Sequence, residues 1–179
     1  MVKQPDFDDY LLQMIFNVDR QIYREYILGI FLNFSMESPE DYTKELFNNG
    51  ILDKLMTLIP ILTEENSLIM IMGIIQNFFF LGVDILIDIV TSEIIDVALN
   101  LLHEGSVTAK KAAIKFFCGI CNFSEDPTIQ SFLIEMKIPS LLLEFTEIPS
   151  TETWSIIMQA FYKNACTAYS SGIDEENLF

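Results

Sequence analysis

The residues of this chain best suited to chemistry are two cysteines, in the sequence Cys118-Gly119-Ile120-Cys121. This spacing is typical of redox-active dithiols, which require the start of a helix after a strand because the helix dipole there lowers a thiol pKa. Here the pair comes near the end of an apolar helical pattern, and no strand is predicted before it. The position therefore favours buried structural thiols over a redox site.

Other catalytic constellations are lacking in the sequence. His103 is the only histidine, so a nucleophile–histidine relay or a multi-histidine metal site would depend on that residue alone. The acidic clusters at 64–65, 125–126 and 174–176 fall in predicted turns or a tail, where no apolar surroundings shift a carboxyl pKa. No glycine-rich phosphate loop is present. We therefore predict a non-enzymatic protein without cofactor, metal or small-molecule substrate.

Composition predicts a helical protein with a substantial core. Of 179 residues, 51% are hydrophobic and 20% charged, and only 7 are glycine and 6 proline. Few helix breakers favour long helices over short strands joined by tight turns. The formal net charge of −16 disfavours direct binding of nucleic acid or adhesion to an anionic membrane.

The N-terminus, the cysteines and the longest apolar stretch indicate the cellular compartment of the protein. Residues 1–10 contain three aspartates and no apolar run of the signal-peptide type, and the chain has three cysteines, which cannot all pair within it. These features predict reduced thiols in the cytoplasm or nucleus. The longest apolar stretch, 68–83, is interrupted by Gln76 and Asn77 and lacks flanking basic residues, which favours a buried helix over a membrane span.

A repeat organises the chain. Four related apolar segments each carry one asparagine, and these asparagines are 44, 45 and 42 residues apart. They are Asn33, Asn77, Asn122 and Asn164. A second apolar pattern, beginning at Ile51, recurs at Ile94 and Ile138 with the spacing of a helix that buries one face. This period is typical of helical repeat arrays.

Each full repeat is therefore predicted to contain a short first helix, a second helix with an apolar stripe and a longer third helix with the asparagine. The predicted third helices are 21–35, 67–81, 106–123 and 151–167. The predicted repeats are 39–82, 83–124 and 125–168, with a partial repeat at 7–36, an acidic tail at 170–179 and one domain over 1–179. Ser38 and Asp126 each precede a proline and are predicted to cap a first helix.

The segment from Gly50 to Ile59 resembles the armadillo consensus at the start of the second helix, and the recurring asparagine resembles the ladder asparagine of that family. The resemblance covers about residues 10 to 168. It implies an all-α, right-handed solenoid of about four armadillo- or HEAT-like repeats. A weaker resemblance is to the small four-repeat armadillo repeat-containing proteins, and HEAT repeats are the competing family.

The resemblance also implies a binding surface. In armadillo proteins the third helices line a concave wall, where asparagine amides bind the backbone of an extended partner chain. Asn33, Asn77, Asn122 and Asn164 are then candidate partner-binding residues, although each would alternatively tie neighbouring helices together. The predicted third helices hold half of the basic residues. Lys111 and Lys115 among them suit an acidic or neutral peptide, although an ordinary solvated face is the alternative.

One departure from the family argues against a particular function, the binding of basic nuclear-localisation signals. Importin-alpha proteins place tryptophan four residues before the ladder asparagine, where this chain has Gly29, Gly73, Cys118 and Ala160. A receptor for basic nuclear-localisation signals is therefore disfavoured. We expect these small residues to leave a furrow that accepts an extended segment or an apolar helix.

The sequence thus predicts a protein-binding adaptor or scaffold that holds a partner segment along its third helices. Two alternatives stay open: a structural subunit of a larger complex, and a chaperone cofactor of the armadillo type.

Overall fold

The structure, a computed structural model, describes residues 10–11, 13–15, 21–37, 40–123, 125–145 and 155–163. Four predictions lie outside these residues: the Ser38 cap, Asn164 as a binding residue, Cys166 as a thiol and the tail at 170–179. All described residues are in helices, turns, bends or short connections, and none of them is in a strand. The predicted all-α class is confirmed.

The chain divides into two compact units, Met1–Leu81 and Gly82–Phe179. The helices of the first unit are α1 (Gln21–Glu37), α2 (Glu40–Asn48), α3 (Ile51–Leu58) and α4 (Glu65–Asn77), with short 3-10 segments at Ile59–Ile61 and Phe78–Leu81. Those of the second are α5 (Val83–Val90), α6 (Ile94–Glu104), α7 (Val107–Cys121), α8 (Pro127–Glu135), α9 (Ile138–Glu144) and α10 (155–163). Residues 10–11 and 13–15 are also helical.

The third helices α1, α4, α7 and α10 fall within a few residues of their predicted positions. The main difference is in the second of them, predicted as 67–81. The α-helical part ends at Asn77, and Phe78–Leu81 continue as a tighter 3-10 segment. Such tightening is common at helix ends, where the last carbonyls lack an i+4 partner.

Local turn and cap chemistry separates the short helices. Gly50, before α3, has φ 71°, a left-handed conformation that glycine adopts without steric cost. Lys137 occupies the same repeat position before α9 and has φ 51°, although it carries a side chain. Before α8, an Asp126 oxygen accepts from the backbone amides of Thr128 at 2.8 Å and Ile129 at 3.2 Å, with Pro127 as the first helical residue. The predicted Asp126 cap is confirmed.

In the first unit, α1 and α4 pack side by side. Their contacts occur in the same order along both helices. The Arg24 guanidinium lies 3.6 Å from the Glu64 carboxylate. Further along both helices, Leu32 packs against Gly73, and Ser35 is hydrogen-bonded to Asn77. The two helices are therefore parallel. Large side chains fill the core around them, among them Leu28, Phe31, Leu55, Ile71 and Phe78, all at most 1% exposed.

In the second unit, α7 packs against α6 and α5 against α8. The α7 helix supplies much of this core: Phe116 and Phe117 are fully buried, with ring centroids 6.0 Å apart in an edge-to-face arrangement. Such a pair adds about 0.5–1.5 kcal/mol to the burial of its surface. Because both rings are buried in the core, they orient α7, which carries the candidate residues Lys111 and Lys115.

The apolar stretch 68–83 divides among α4, the 3-10 segment Phe78–Leu81 and the start of α5. None of the helices in the described part of the chain has both the length and the apolar character needed to cross a membrane.

Candidate functional site

Asn33 lies on an exposed apolar face of α1. The α1 helix exposes six large apolar side chains, whereas its opposite side, with Leu28 and Phe31, is buried. Spacings of three and four residues put Ile22, Tyr26, Ile30 and Asn33 on one side of the helix. We call these four residues the α1 stripe. Tyr26 is 64% and Ile22 53% exposed, so the stripe is accessible to a partner.

Asn77 has a different setting from Asn33. It is half-buried, and its side-chain nitrogen donates a hydrogen bond of 2.8 Å to the Ser35 hydroxyl of α1. The Ser35 hydroxyl in turn donates to the backbone carbonyl of Leu32 at 2.9 Å. One amide N–H of Asn77 therefore ties α4 to the last turn of α1. Partner binding by Asn77 stays a prediction and would use its remaining N–H and its oxygen.

The expected furrow of small residues is wrong at three of its four positions. A Cβ on Gly73 would lie 2.9 Å from Leu32 Cδ1, so this glycine allows the close approach of α1 to α4. Cys118 and Ala160 are buried, at 3% and 2% exposed. Only Gly29 is open, since no described atom other than those of its chain neighbours and its own helix backbone lies within 4 Å of a Cβ built on it. Small residues here mostly serve helix packing.

Three predicted residues lie together on α7 in the second unit. Lys111 and Lys115 are one turn apart on α7. Asn122 is the C-terminal cap of that helix, has a helical backbone conformation and follows Lys115 by seven residues. These spacings place all three on one side of the helix. Asn122 is exposed and the two lysines are half-buried. A segment with a carboxylate and free backbone groups would match this side of α7.

Asn122 also takes part in a helix–helix contact through its backbone. Lys163 of α10 donates from its side chain to the Asn122 carbonyl, which satisfies one acceptor at the end of α7. The side-chain amide of Asn122 is not used in this bond. Asn33 and Asn77 belong to the first unit, and Asn122 with the two lysines to the second.

Cys118 and Cys121 are buried on α7, and neither is in a disulfide. Burial raises the pKa of the Cys118 thiol well above its ordinary value, and the neighbouring Cys121 raises it further. A redox-active thiol needs the opposite, a lowered pKa. The pair therefore acts as part of the core, as its position in the sequence predicted.

His103 is exposed at the end of α6, with its ring edge-on to Phe145 at 5.8 Å between centroids. Lys110 lies above the same Phe145 ring, with its nitrogen 5.8 Å from the centroid. Across the described residues, no three His, Cys, Asp or Glu side chains come together as a potential metal site. The aromatic contacts join the ends of α6, α7 and α9.

The sequence reasoning missed the α1 stripe. Its signal was present, because Ile22, Tyr26 and Ile30 recur every four residues, but the same pattern also predicts a buried face. The second repeat shows why: Ile74, the counterpart of Ile30, is fully buried, whereas Ile30 is 39% exposed. The chain matches no protein-family model, no curated protein and no solved structure.

Proposed function

We propose that this protein is a non-enzymatic adaptor, an armadillo-type right-handed solenoid of about four repeats that binds a protein segment along its third helices. The observation that carries the proposal is the α1 stripe. Contiguous exposed apolar surface on a folded chain is typical of protein–protein contact sites. In the stripe, that surface adjoins an exposed asparagine amide, which supplies two donors and an acceptor for a partner backbone.

A second contact region is supported by α7. Lys111, Lys115 and the Asn122 amide lie on one side of that helix, in a chain whose net charge is −16. Positive charge in an otherwise acidic protein selects partners that carry carboxylates at this position. The adaptor therefore takes an acidic or neutral segment at α7 and apolar side chains at α1.

The test compares affinity capture by the tagged wild-type protein with capture by Ile30→Glu and Lys111→Glu, quantified by mass spectrometry. Asn100→Glu is the matched control, because Asn100 is exposed on the second helix α6. We expect wild type and Asn100→Glu to capture the same partners. At least one of the third-helix variants should capture about tenfold less of a partner, because its new charge would be desolvated in the interface.

Equal capture by all four proteins, each confirmed as helical by circular dichroism, would contradict the proposal. Loss of partners from Asn100→Glu alone would instead place the binding surface on the second helices. That outcome would favour the alternative of a structural subunit held through its outer surface.

A further inference from the structure

The α1 stripe repeats a face that is already packed elsewhere in the first unit. The sequence 28–34 of α1 aligns with 72–78 of α4, so Gly29 corresponds to Gly73 and Asn33 to Asn77. In α4 this face is covered by α1: Leu32 meets Gly73, and the Ser35 hydroxyl accepts from Asn77. In α1 the same face is exposed, at Ile22, Tyr26 and Ile30.

Exposure supports this correspondence. Gly29 and Asn33 carry the features that allowed α1 to approach α4 closely, a missing Cβ and an amide donor. No described atom other than those of its chain neighbours and its own helix backbone lies within 4 Å of a Cβ built on Gly29, and Asn33 is exposed. The α1 stripe therefore has the shape and the hydrogen-bonding group of a helix-packing face.

We infer that the α1 stripe binds one helix of a partner protein, which runs parallel to α1 and packs on it as α1 packs on α4. That helix presents a leucine to Gly29 and, three residues later, a serine or threonine hydroxyl to Asn33, as Leu32 and Ser35 do for Gly73 and Asn77. This inference rests on the proposed function and specifies the partner at one of its two contact regions.

Charge decides between a foreign helix and a second copy of this chain. Two copies would each bring a net charge of −16 to the contact, and like charges oppose association. A helix with lysine or arginine on its solvent side meets a chain of opposite charge and associates faster. The occupant is therefore an amphipathic helix with an apolar, leucine- and serine-bearing face and a basic outer face.

The probe is a fluorescent peptide of the length of α1, an alanine–lysine helix with leucines along one face and a serine three residues after the last leucine. We expect saturable binding to the wild-type protein. Gly29→Gln should weaken it about tenfold or more, because a side chain there holds the two helices apart. The Gln side chain fits the open space and favours helix, so Gly29→Gln should be at least as stable as wild type.

Matched controls exclude a merely electrostatic contact. Asn100→Gln on α6 should bind the peptide like wild type, and a peptide of unchanged charge with its central leucine replaced by asparagine should bind at least tenfold more weakly. The inference is overturned if the peptide fails to bind wild type, if Gly29→Gln binds it equally well, or if sedimentation shows a dimer of the free protein that Gly29→Gln dissociates. Partners lost by Ile30→Glu in capture would still support the adaptor function in each of these cases.

Discussion

The side-chain amide of Asn77 donates a 2.8 Å hydrogen bond to the Ser35 hydroxyl, joining the ends of the parallel helices α4 and α1. Ser35 is 6% exposed and passes the interaction on to the Leu32 carbonyl. These two hydrogen bonds link α4 to α1. They also satisfy polar groups that would otherwise lose water at this contact without a replacement partner. Asn33, at the matching position of α1, is exposed. The recurring asparagine is therefore packed between helices in one repeat and exposed in another repeat of the same unit.

Replacing these two asparagines separates their roles. Asn77→Ala leaves the buried Ser35 hydroxyl without its donor and should lower the free energy of unfolding by about 1 kcal/mol. Asn33→Ala removes an exposed amide and should change it by less than about 0.5 kcal/mol. Urea unfolding followed by circular dichroism measures both. Equal destabilisation by the two variants would contradict the assigned tie.

Ser67 offers a test in the opposite direction. Its side chain in α4 is fully buried, and its hydroxyl is the one buried side-chain polar atom of the described residues without a hydrogen-bond partner. Ser67→Ala removes an unpaired polar group and adds helix propensity, so it should raise the free energy of unfolding by about 1 kcal/mol. Ser35→Ala, which breaks a satisfied network, should lower it. A destabilised Ser67→Ala protein would show that the hydroxyl has a partner.

The turns before second helices provide a matched pair. Lys137 has φ 51°, a conformation that costs a residue with a Cβ about 1–2 kcal/mol, whereas Gly50 at φ 71° avoids this cost. Lys137→Gly should therefore stabilise the protein by about 0.5–1 kcal/mol, part of the gain being offset by the added freedom of the unfolded chain. Gly50→Ala should destabilise it by about 1 kcal/mol. Thermal and urea unfolding check both, and a destabilising Lys137→Gly would contradict the left-handed turn.

The buried thiol makes stability depend on pH. Because burial and Cys121 raise the pKa of Cys118, the folded protein keeps a proton that the unfolded chain releases above about pH 8.5. The contribution is therefore complete below that pH and is lost as pH rises above it, by up to about 1.4 kcal/mol per pH unit. Between pH 7.5 and 9.5, wild type under reducing conditions should lose about 1.4 kcal/mol more than Cys118→Ala. Parallel losses would mean that Cys118 titrates normally.

Much of the helical organisation could be predicted from the sequence because it rests on local signals. Periodic apolar residues located the third helices, and Asp126 followed by proline identified a helix start with its cap. These signals act over one or two turns and depend little on the rest of the fold.

The roles of the asparagines could not be predicted in the same way. Asn33 and Asn77 have nearly the same flanking residues, so no local signal separates a packed amide from an exposed one. The difference depends on whether another helix lies beside the residue, as α1 lies beside Asn77. Gly73 is similar: it was expected to open a furrow, but its missing Cβ accommodates Leu32 of the neighbouring helix.

The central claim is that partners bind to the third helices. Its most direct test is hydrogen–deuterium exchange of the protein alone and in complex with a partner recovered by capture. We predict that binding slows exchange in peptides from α1, from the region of Lys111 and Lys115 in α7, or from both, because bound helices open less often. Protection confined to first and second helices, such as α2, α6 and α8, with α1 and α7 unchanged, would contradict the account.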